Sequence, residues 1–450
     1  MRQLVLDILS QPAVLVAAIA LIGLLIQKKS SAEIIKGTTK TFLGFIVLSA
    51  GANVLVGSLE PFGKMFQEAF RVNGVVPNNE AIVAMALTKY GSTTALIMFF
   101  GMIANILVAR FTNLKYIFLT GHHTLYMACM IAVILLVAGM EGFQLVLIGS
   151  LALGLIMAVF PALAQPFMRK ITGNDQVGFG HFSTLGYVLS GAIGSVVGKN
   201  SPSTEKINFP KGLGFLRDSS ISIALTMSVL YIIVAIIAGP DYIEKNLSNG
   251  THFIVFSIVQ AVTFAAGVFI ILTGVRLILA EIVPAFKGIS NKLVPNAKPA
   301  LDCPIVFPYA PNAVLIGFFC SFLGGIVGMF ILGAVGAVII LPGVVPHFFT
   351  GATAGVFGNA TGGIRGATIG SFFNGLLITF LPVFLMPVLG DLGFANTTFS
   401  DSDFAASGII LGYITKYLGS AGLTVFVLAA VIISVAVYFL RGKKRVSEDH

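Results

Sequence analysis

Long apolar runs, separated by short polar loops, dominate the hydrophobic pattern of this chain. Each run holds about 18 or more mostly apolar residues, enough for a helix to cross the hydrocarbon core of a bilayer. The predicted spans are 8–27, 41–58, 92–109, 116–140, 143–163, 219–238, 253–283, 312–341, 367–390 and 420–440. The stretch 407–418 is predicted to belong to a further helix or to lie at the interface. The pattern indicates an all-α polytopic membrane protein.

Three further apolar regions are interrupted by Gly, Pro, Asn, Ser and Thr: residues 74–91, 178–197 and 342–366. Irregular backbone at membrane depth is tolerated only where it is buried in protein or lines a watery cavity. We therefore expect these broken regions to form re-entrant hairpins or the walls of a polar pathway.

Composition supports the membrane class. Of the 450 residues, 56% are hydrophobic and only 10% are charged, whereas soluble domains carry about 25% charged residues. The net charge of +9 lies mainly in short loops, so it is a topology signal and predicts no nucleic-acid partner. Three cysteines, Cys129, Cys303 and Cys320, show no metal-type spacing and are interpreted as unpaired small apolar residues.

Basic loops predict the orientation. The first predicted helix, interpreted as a retained helix and not a signal peptide, is followed by Lys28 and Lys29, and the last by a tail at 441–450 that holds four Lys and Arg residues. The positive-inside tendency places both clusters in the cytoplasm. The N-terminus is then outside, the number of crossings is odd, and we expect about eleven.

A short internal repeat relates 177–181 (VGFGH) to 355–359 (GVFGN), with His122 and Asp302 upstream of the two copies. Two halves of similar layout, each with a broken helix, are typical of secondary transporters that bind their solute at the repeat interface. The repeat predicts an inverted internal symmetry.

Three ionisable residues in apolar surroundings are candidates for solute binding: His122, His181 and Asp302. Such groups are costly inside a membrane and usually mark a pathway. Each also has a structural interpretation, as an interfacial histidine, a loop histidine and a helix N-cap respectively. His123 is expected to be a structural companion of His122, since its side chain points about 100° away on a helix.

Other charged residues are more ambiguous. Glu80 and Lys89 flank part of the first broken region, and Arg276 and Glu281 are interpreted as snorkelling ends or a structural pair. Arg365 is either a contact for an anionic solute or a cytoplasmic loop charge.

Several catalytic and energy-coupling motifs are absent from the sequence: GxxxxGK[ST], HExxH, GxSxG and an Arg-rich voltage-sensing helix. Direct use of ATP is therefore unsupported, an intramembrane enzyme is disfavoured, and no cofactor, metal or catalytic nucleophile is expected. A transporter of this kind is driven by an ion gradient or by a partner protein.

Several motifs in register resemble the ascorbate-specific enzyme IIC, the membrane component of the bacterial phosphotransferase system. They are IIKGTTKT at 34–41, LTGH at 119–122, GFGH at 178–181, EIVPAFKGIS at 281–290, and Asp302-Cys303 with YAPNAV at 309–314. The resemblance runs in order over nearly the whole chain.

This resemblance implies a homodimer of 11-helix subunits in the bacterial inner membrane. Each chain would be a single permease unit whose discontinuous scaffold and core subdomains move by an elevator mechanism, the core carrying two re-entrant hairpins. The substrate, L-ascorbate or a related sugar acid, would be phosphorylated by a cytoplasmic IIB protein, charged through IIA and HPr. By the same resemblance, His122, His181 and Asp302 contact the substrate.

The chain departs from the pattern of family members that take ascorbate at positions next to these residues. They have Gln where this chain has Tyr126 and Phe182, and a Thr-Tyr pair where it has Asn79 and Glu80. Losing two amides removes hydrogen-bonding groups, so a different sugar or sugar acid is an open alternative, as is an ion-coupled transporter on a similar fold.

Overall fold

The computed structural model describes residues 11–71, 74–207, 219–394 and 397–448, and these ranges are mainly helical. The α-helices are α1 Pro12–Ile26, α2 Ser31–Phe70, α3 Asn79–Phe111, α4 Gly121–Val137, α5 Gly142–Thr172, α6 Thr184–Val197, α7 Ser219–Ala238, α8 Pro240–Asn246, α9 Phe253–Leu293, α10 Pro311–Ala334, α11 Val344–Leu385 and α12 Ser402–Glu448. Short 3-10 helices lie at Thr204–Lys206, Cys303–Ile305, Phe307–Tyr309, Met386–Val388 and Gly390–Phe394.

Local sequence explains where several helices begin and end. A capping box starts α2, because Glu33 N donates to Ser30 Oγ at 3.3 Å and Ser30 N donates to Glu33 Oε2 at 3.1 Å. Gly173 ends α5 at its C-terminus. Its φ is +70°, a left-handed conformation that glycine adopts without a steric penalty.

Within the described residues, five short strands lie between helices, and they form two groups of parallel strands. The strands are β1 Val76–Pro77, β2 Tyr116–Phe118, β3 Gly178–Phe179, β4 Lys298–Leu301 and β5 Thr397–Thr398. Strand β4 lies between β2 and β3, while β1 pairs with β5. Each strand is followed within a few residues by a polar residue and a helix start, so the strand groups fix where those polar residues meet.

The predicted membrane class is confirmed. Within the described residues, five helices are long and apolar enough to cross a membrane, or six if the bent pair Met227–Ala238 and Pro240–Asn246 is one span. The estimate of about eleven crossings stays a prediction.

Some predicted bounds are wrong. The span predicted at 116–140 begins with strand β2, and its helix starts only at Gly121, because residues 116–118 pair with β4. The span predicted at 312–341 ends as helix at Ala334. Residues 407–418 and 420–440 lie in two helical segments of α12 that are separated by the non-helical Gly419, so 407–418 is part of a further helix, one of the two predicted alternatives.

The third region predicted to be broken, 342–366, is interrupted at Gly363, where φ is +55° and the backbone is not helical, so α11 consists of two helical segments, 344–362 and 364–385. The two segments contact each other, since Asn374 Nδ2 donates to Thr350 Oγ1 at 3.1 Å and Ser371 Oγ donates to the Gly351 carbonyl oxygen at 3.3 Å. The other glycines of this region serve close helix packing. A Cβ added at Gly355 would collide with the backbone of Ala313 and Gly317 on α10, and small residues at such contacts are typical of membrane helix pairs.

The proposed repeat between 177–181 and 355–359 is not a structural repeat. The first segment contains strand β3, whereas the second is continuous helix inside α11. The two segments do touch, since the Phe179 and Phe357 rings lie 5.3 Å apart. Short glycine-rich matches arise easily, and here the glycines serve a strand contact in one segment and helix packing in the other.

Apolar packing forms two main clusters. The larger cluster joins α3, α4, α5 and α12 around residues such as Met127, Ile131 and Phe404. The second joins α2, α7 and α9 with parts of α10 and α11, around Phe66, Tyr231 and Phe264. Residues of β2 and β4 belong to the larger cluster, whereas Phe179 of β3 and Cys303 belong to a third cluster with Tyr187 and Phe357.

Candidate functional site

Parallel strand pairing brings His122, His181 and Asp302 together. Strand β2 leads to His122, the central strand β4 to Asp302, and β3 to His181. Because the carboxyl ends of parallel strands meet at one edge of a sheet, three residues far apart in sequence converge there. Gly180 permits this convergence, since a Cβ at that position would lie 2.6 Å from the carbonyl oxygen of Ala300 on β4.

Asp302 lies between the two histidines. Its Oδ2 is 3.7 Å from His122 Nε2, and its Oδ1 is 4.0 Å from His181 Nε2. Both separations exceed a hydrogen bond, and an oxygen beside either pair of atoms, about 2.8 Å from both, would bridge them. Asp302 Oδ1 also accepts from Cys303 N at 2.7 Å, which confirms the predicted N-cap, here of a 3-10 turn.

His181 has polar neighbours on its other side. Its Nδ1 is 2.7 Å from Tyr187 Oη and 3.7 Å from Asp401 Oδ2. These contacts orient the imidazole so that Nε2 faces Asp302. His181 and Asp302 are buried, whereas the His122 side chain retains 16% of its surface, so His122 marks the open side of the cluster.

The second strand pair supplies Asn79 and Asp401. Strand β1 leads into Asn79 and β5 leads into Asp401. Asn79 Nδ2 donates to Asp401 Oδ1 at 3.0 Å, and Asn79 Oδ1 accepts from Ser400 N at 2.9 Å. The two strand groups therefore end at the same polar cluster. The side chain of Glu80, the other predicted residue of this segment, lies outside the described part of the structure.

His123 is buried within the cluster. Its Nδ1 accepts from Phe182 N at 3.2 Å, which assigns the proton of the neutral ring to Nε2. Its ring stacks on Phe404, with centroids 5.4 Å apart, and lies 4.0 Å from the His181 ring. The expected role as structural companion agrees with these contacts.

Tyr126 and Phe182 differ in where their rings lie. The Tyr126 ring is 5.8 Å from His122 and keeps 7% of its surface. The Phe182 ring has no exposed surface and stacks on Phe118 with centroids 4.4 Å apart. A solute contact by either ring stays a prediction, and in this conformation Tyr126 is the better placed.

Sequence reasoning missed a carboxylate that joins α6 to α12. Asp403 Oδ2 accepts from Thr184 N at 2.7 Å, and its Oδ1 accepts from Leu185 N at 2.9 Å. The backbone N–H of Asp403 also donates to the Phe182 carbonyl oxygen at 3.0 Å. Asp403 thus caps the first turn of α6 from a distant helix, and it fixes the segment that carries His181.

Asp401 and Asp403 had a detectable signal in the sequence. The run SDSD at 400–403 directly precedes a long apolar segment, and carboxylates in that setting usually have a function or a specific partner. The remaining charged residues that the sequence singled out lie away from this cluster or outside the described part of the structure. Arg365 is exposed, and the side chains of Arg276 and Glu281 lie outside the described part.

An ion-pair group fixes the strand ends opposite the site. Asp175 accepts from Arg169 Nε at 2.7 Å and pairs with Lys298 Nζ at 2.5 Å. The hydrogen bond from Arg169 is the main reason that the pKa of Asp175 is lowered from its ordinary value. The group ties the loop before β3 to the start of β4.

Side chains with metal-binding atoms form three overlapping triples in the cluster. The ligand atoms within each triple lie within 4.8 Å of one another; the triples are His122–His123–Asp302, His123–His181–Asp401 and His181–Asp302–Cys303. The arrangement is rich in hydrogen-bonding groups and suits recognition of a polyhydroxylated molecule.

Comparison with known proteins identifies relatives. A family model described as "PTS system sugar-specific permease component" matches residues 7–403. The protein named "Ascorbate-specific PTS system EIIC component" of Mycoplasma pneumoniae is 27% identical over 420 residues. The match covers 81% of this chain and 63% of that relative.

Proposed function

Because this chain belongs to the family of sugar-specific permease components of the phosphotransferase system, we propose that it carries a small sugar or sugar acid across the membrane. The solute binds at the cluster of His122, His181 and Asp302. Transport is coupled to phosphorylation of the solute by a cytoplasmic IIB protein.

The geometry around Asp302 carries this proposal. The gaps of 3.7 Å and 4.0 Å to the two imidazoles are too long for direct hydrogen bonds. A sugar hydroxyl beside either pair of atoms, about 2.8 Å from both, donates to the carboxylate and accepts from an imidazole N–H. Two such gaps on one carboxylate fit two hydroxyls of one solute molecule.

The proposed substrate is L-ascorbate or a related small sugar or sugar acid. The Mycoplasma relative is named for ascorbate, and the motifs at 119–122, 178–181 and 302–314 resemble ascorbate permeases. Against a strict preference for ascorbate, Tyr126 and Phe182 replace two amides. We expect an aromatic-lined site to accept the apolar face of a sugar ring and to select less sharply among hydroxyl patterns.

We propose that α2, α7 and α9 belong to a dimerising scaffold. The helices next to the strands, α3, α4, α6 and α12, form the mobile core. In support, α2, α7 and α9 share a separate apolar cluster, whereas the solute site lies beside the other one. The partners of the chain are a second copy, the IIB protein, and indirectly IIA and HPr. The proposed location is the bacterial inner membrane.

Uptake in membrane vesicles tests the proposal. Vesicles holding the protein are loaded with phosphoenolpyruvate and the soluble phosphotransferase proteins, and labelled ascorbate and other sugars are added outside. We expect label to accumulate as a phosphate ester, and only when IIB is present. The matched control is Asp302→Asn, which should insert normally and accumulate little label.

The alternative, an ion-coupled transporter, makes the opposite prediction in the same vesicles. Accumulation of unmodified solute driven by an ion gradient, without phosphoenolpyruvate and IIB, would reject group translocation.

A further inference from the structure

We propose that His181, Asp302 and Cys303 form a binding site for a soft divalent cation of the Zn²⁺ class, which competes with the transported solute. The cation site stands on geometry alone, while the competition rests on the proposed solute site.

The ligand set is suited to such a cation. One imidazole nitrogen, one carboxylate oxygen and one sulfur lie within 4.8 Å of one another, and all three residues are buried. Mixed nitrogen, oxygen and sulfur ligands are typical of zinc sites. Cys303 directly follows Asp302, so the backbone already holds two of the three ligands side by side.

Neighbouring residues prepare His181 to act as a ligand. When Nδ1 carries the ring proton, it donates to Tyr187 Oη or Asp401 Oδ2, at 2.7 Å and 3.7 Å respectively. That tautomer leaves a lone pair on Nε2, the atom facing Asp302. A histidine held by a carboxylate or hydroxyl behind it is the usual arrangement at zinc sites.

The competing triples are less suitable because both contain His123. Phe182 N donates to His123 Nδ1, so Nε2 of the neutral ring carries the proton and has no lone pair for a metal. This selects the triple that contains Cys303 over the two that contain His123.

Distance and charge also fit. His181 Nε2 and Asp302 Oδ1 are 4.0 Å apart, and zinc bond lengths of about 2.1 Å in a tetrahedral site need a separation of roughly 3.4 Å. A small side-chain movement closes that difference. On binding, the Cys303 thiol releases its proton to solvent, and one carboxylate plus one thiolate then balance the charge of a divalent cation.

Cobalt binding tests the site directly. Metal-free, tag-free purified protein is titrated with Co²⁺, and the near-ultraviolet thiolate-to-cobalt charge-transfer absorption is recorded. We expect this band at one Co²⁺ per chain and its loss on adding Zn²⁺. Cys303→Ser should abolish the band, and His181→Ala should weaken Co²⁺ binding at least 10-fold.

The chain offers matched controls. Cys129→Ser and Cys320→Ser remove the other two thiols and should leave the band unchanged. A wild-type protein with no band, or a band that survives Cys303→Ser, would overturn the proposal. Cys303→Ala serves as a second variant if the serine protein does not purify as a single species.

Competition is measured separately, as binding of labelled ascorbate with and without Zn²⁺. We expect Zn²⁺ to weaken ascorbate binding at least 10-fold in the wild type and to have little effect on Cys303→Ser. A cobalt band in a protein that binds no sugar would leave the metal site standing and count against the proposed function. Sugar transport by a protein that shows no cobalt band would support the proposed function and overturn the metal site.

Discussion

At the residue scale, Asp302 combines two roles that one substitution can separate. It caps a 3-10 turn through Cys303 N and faces two imidazoles. Asparagine also accepts the capping hydrogen bond but does not carry a negative charge. We predict that Asp302→Asn keeps wild-type thermal stability and loses at least 10-fold in solute affinity, because hydrogen bonds to charged groups contribute about 1.5–3 kcal/mol.

Binding of labelled sugars to purified protein, beside a thermal unfolding curve, measures both quantities. Wild-type affinity in a stably folded Asn variant would leave capping as the only role of this side chain.

Tyr126 and Phe182 were expected to act alike, and the structure separates them. The fully buried Phe182 ring stacks on Phe118, so Phe182→Gln places an amide among aromatic rings and should cost about 2–4 kcal/mol of stability. Tyr126 keeps some exposed surface beside His122, so Tyr126→Gln should be tolerated and should shift selectivity toward ascorbate.

Competition of ascorbate against other sugars, combined with unfolding temperatures for each single variant, checks this pair. A stable Phe182→Gln protein with raised ascorbate preference would show that residue 182 faces the solute in another conformation.

At the scale of elements, the junction of α6 and α12 depends on Asp403. This buried carboxylate accepts from Thr184 N and Leu185 N. Asp403→Ala leaves two buried N–H groups without an acceptor, at a cost of about 1–3 kcal/mol each. We predict a large loss of thermal stability for Asp403→Ala and a smaller one for Asp403→Asn, whose single carbonyl oxygen still accepts.

The same variants should also bind solute more weakly, because the Asp403 carboxylate fixes the start of α6, which directly follows the segment that carries His181. If Asp403→Ala unfolds at the wild-type temperature, the carboxylate does not hold the two helices together.

The ion pairs of Asp175 link the loop before β3 to β4 and respond to pH. Its folded pKa is lowered, chiefly by Arg169, so the stabilisation is present above the ordinary carboxylate pKa of about 3.9 and is lost as pH falls through the folded value. Asp175 is 46% exposed, so the contribution is about 1 kcal/mol or less.

We predict that Asp175→Asn lowers the unfolding temperature slightly at neutral pH and that the difference from wild type shrinks in acid and in high salt. Unfolding curves across pH and ionic strength measure this. A difference that is constant with pH would indicate packing and not charge.

Sequence reasoning found the residues that stand out locally and missed those that depend on the fold. His122, His181 and Asp302 are polar residues in apolar surroundings, and parallel strands indeed bring them together. Asp401 reaches His181 only because β5 pairs with β1, a contact between residues more than 300 positions apart. No local pattern reveals such a pairing, and the glycine-rich match at 355–359 is helical where its counterpart at 177–181 contains a strand.

At the scale of the whole molecule, two strand groups give the site contributions from both halves of the chain. The strands themselves are only two to four residues long, too short to be stable alone. They are held by the apolar helices on either side, so the position of the proposed solute site depends on the relative placement of α3, α4, α6 and α12. Any movement of these helices as a group would carry the intact site with it.

The orientation of the chain in the membrane is a prediction on the same scale. Basic residues such as Lys28 and Lys29 precede α2, and more follow in the tail at 441–450; both clusters are expected in the cytoplasm. We predict that a cysteine at the exposed position Ser30, in a chain whose three native cysteines are replaced, is not labelled by an impermeant thiol reagent added outside intact cells and is labelled after lysis. A C-terminal reporter enzyme active only in the cytoplasm should be active.

Labelling of Ser30→Cys in intact cells would reverse the orientation of the first loop. An inactive C-terminal reporter in a chain with a cytoplasmic first loop would place the two basic clusters on opposite sides of the membrane, and the number of crossings could then no longer be inferred from the positive-inside tendency.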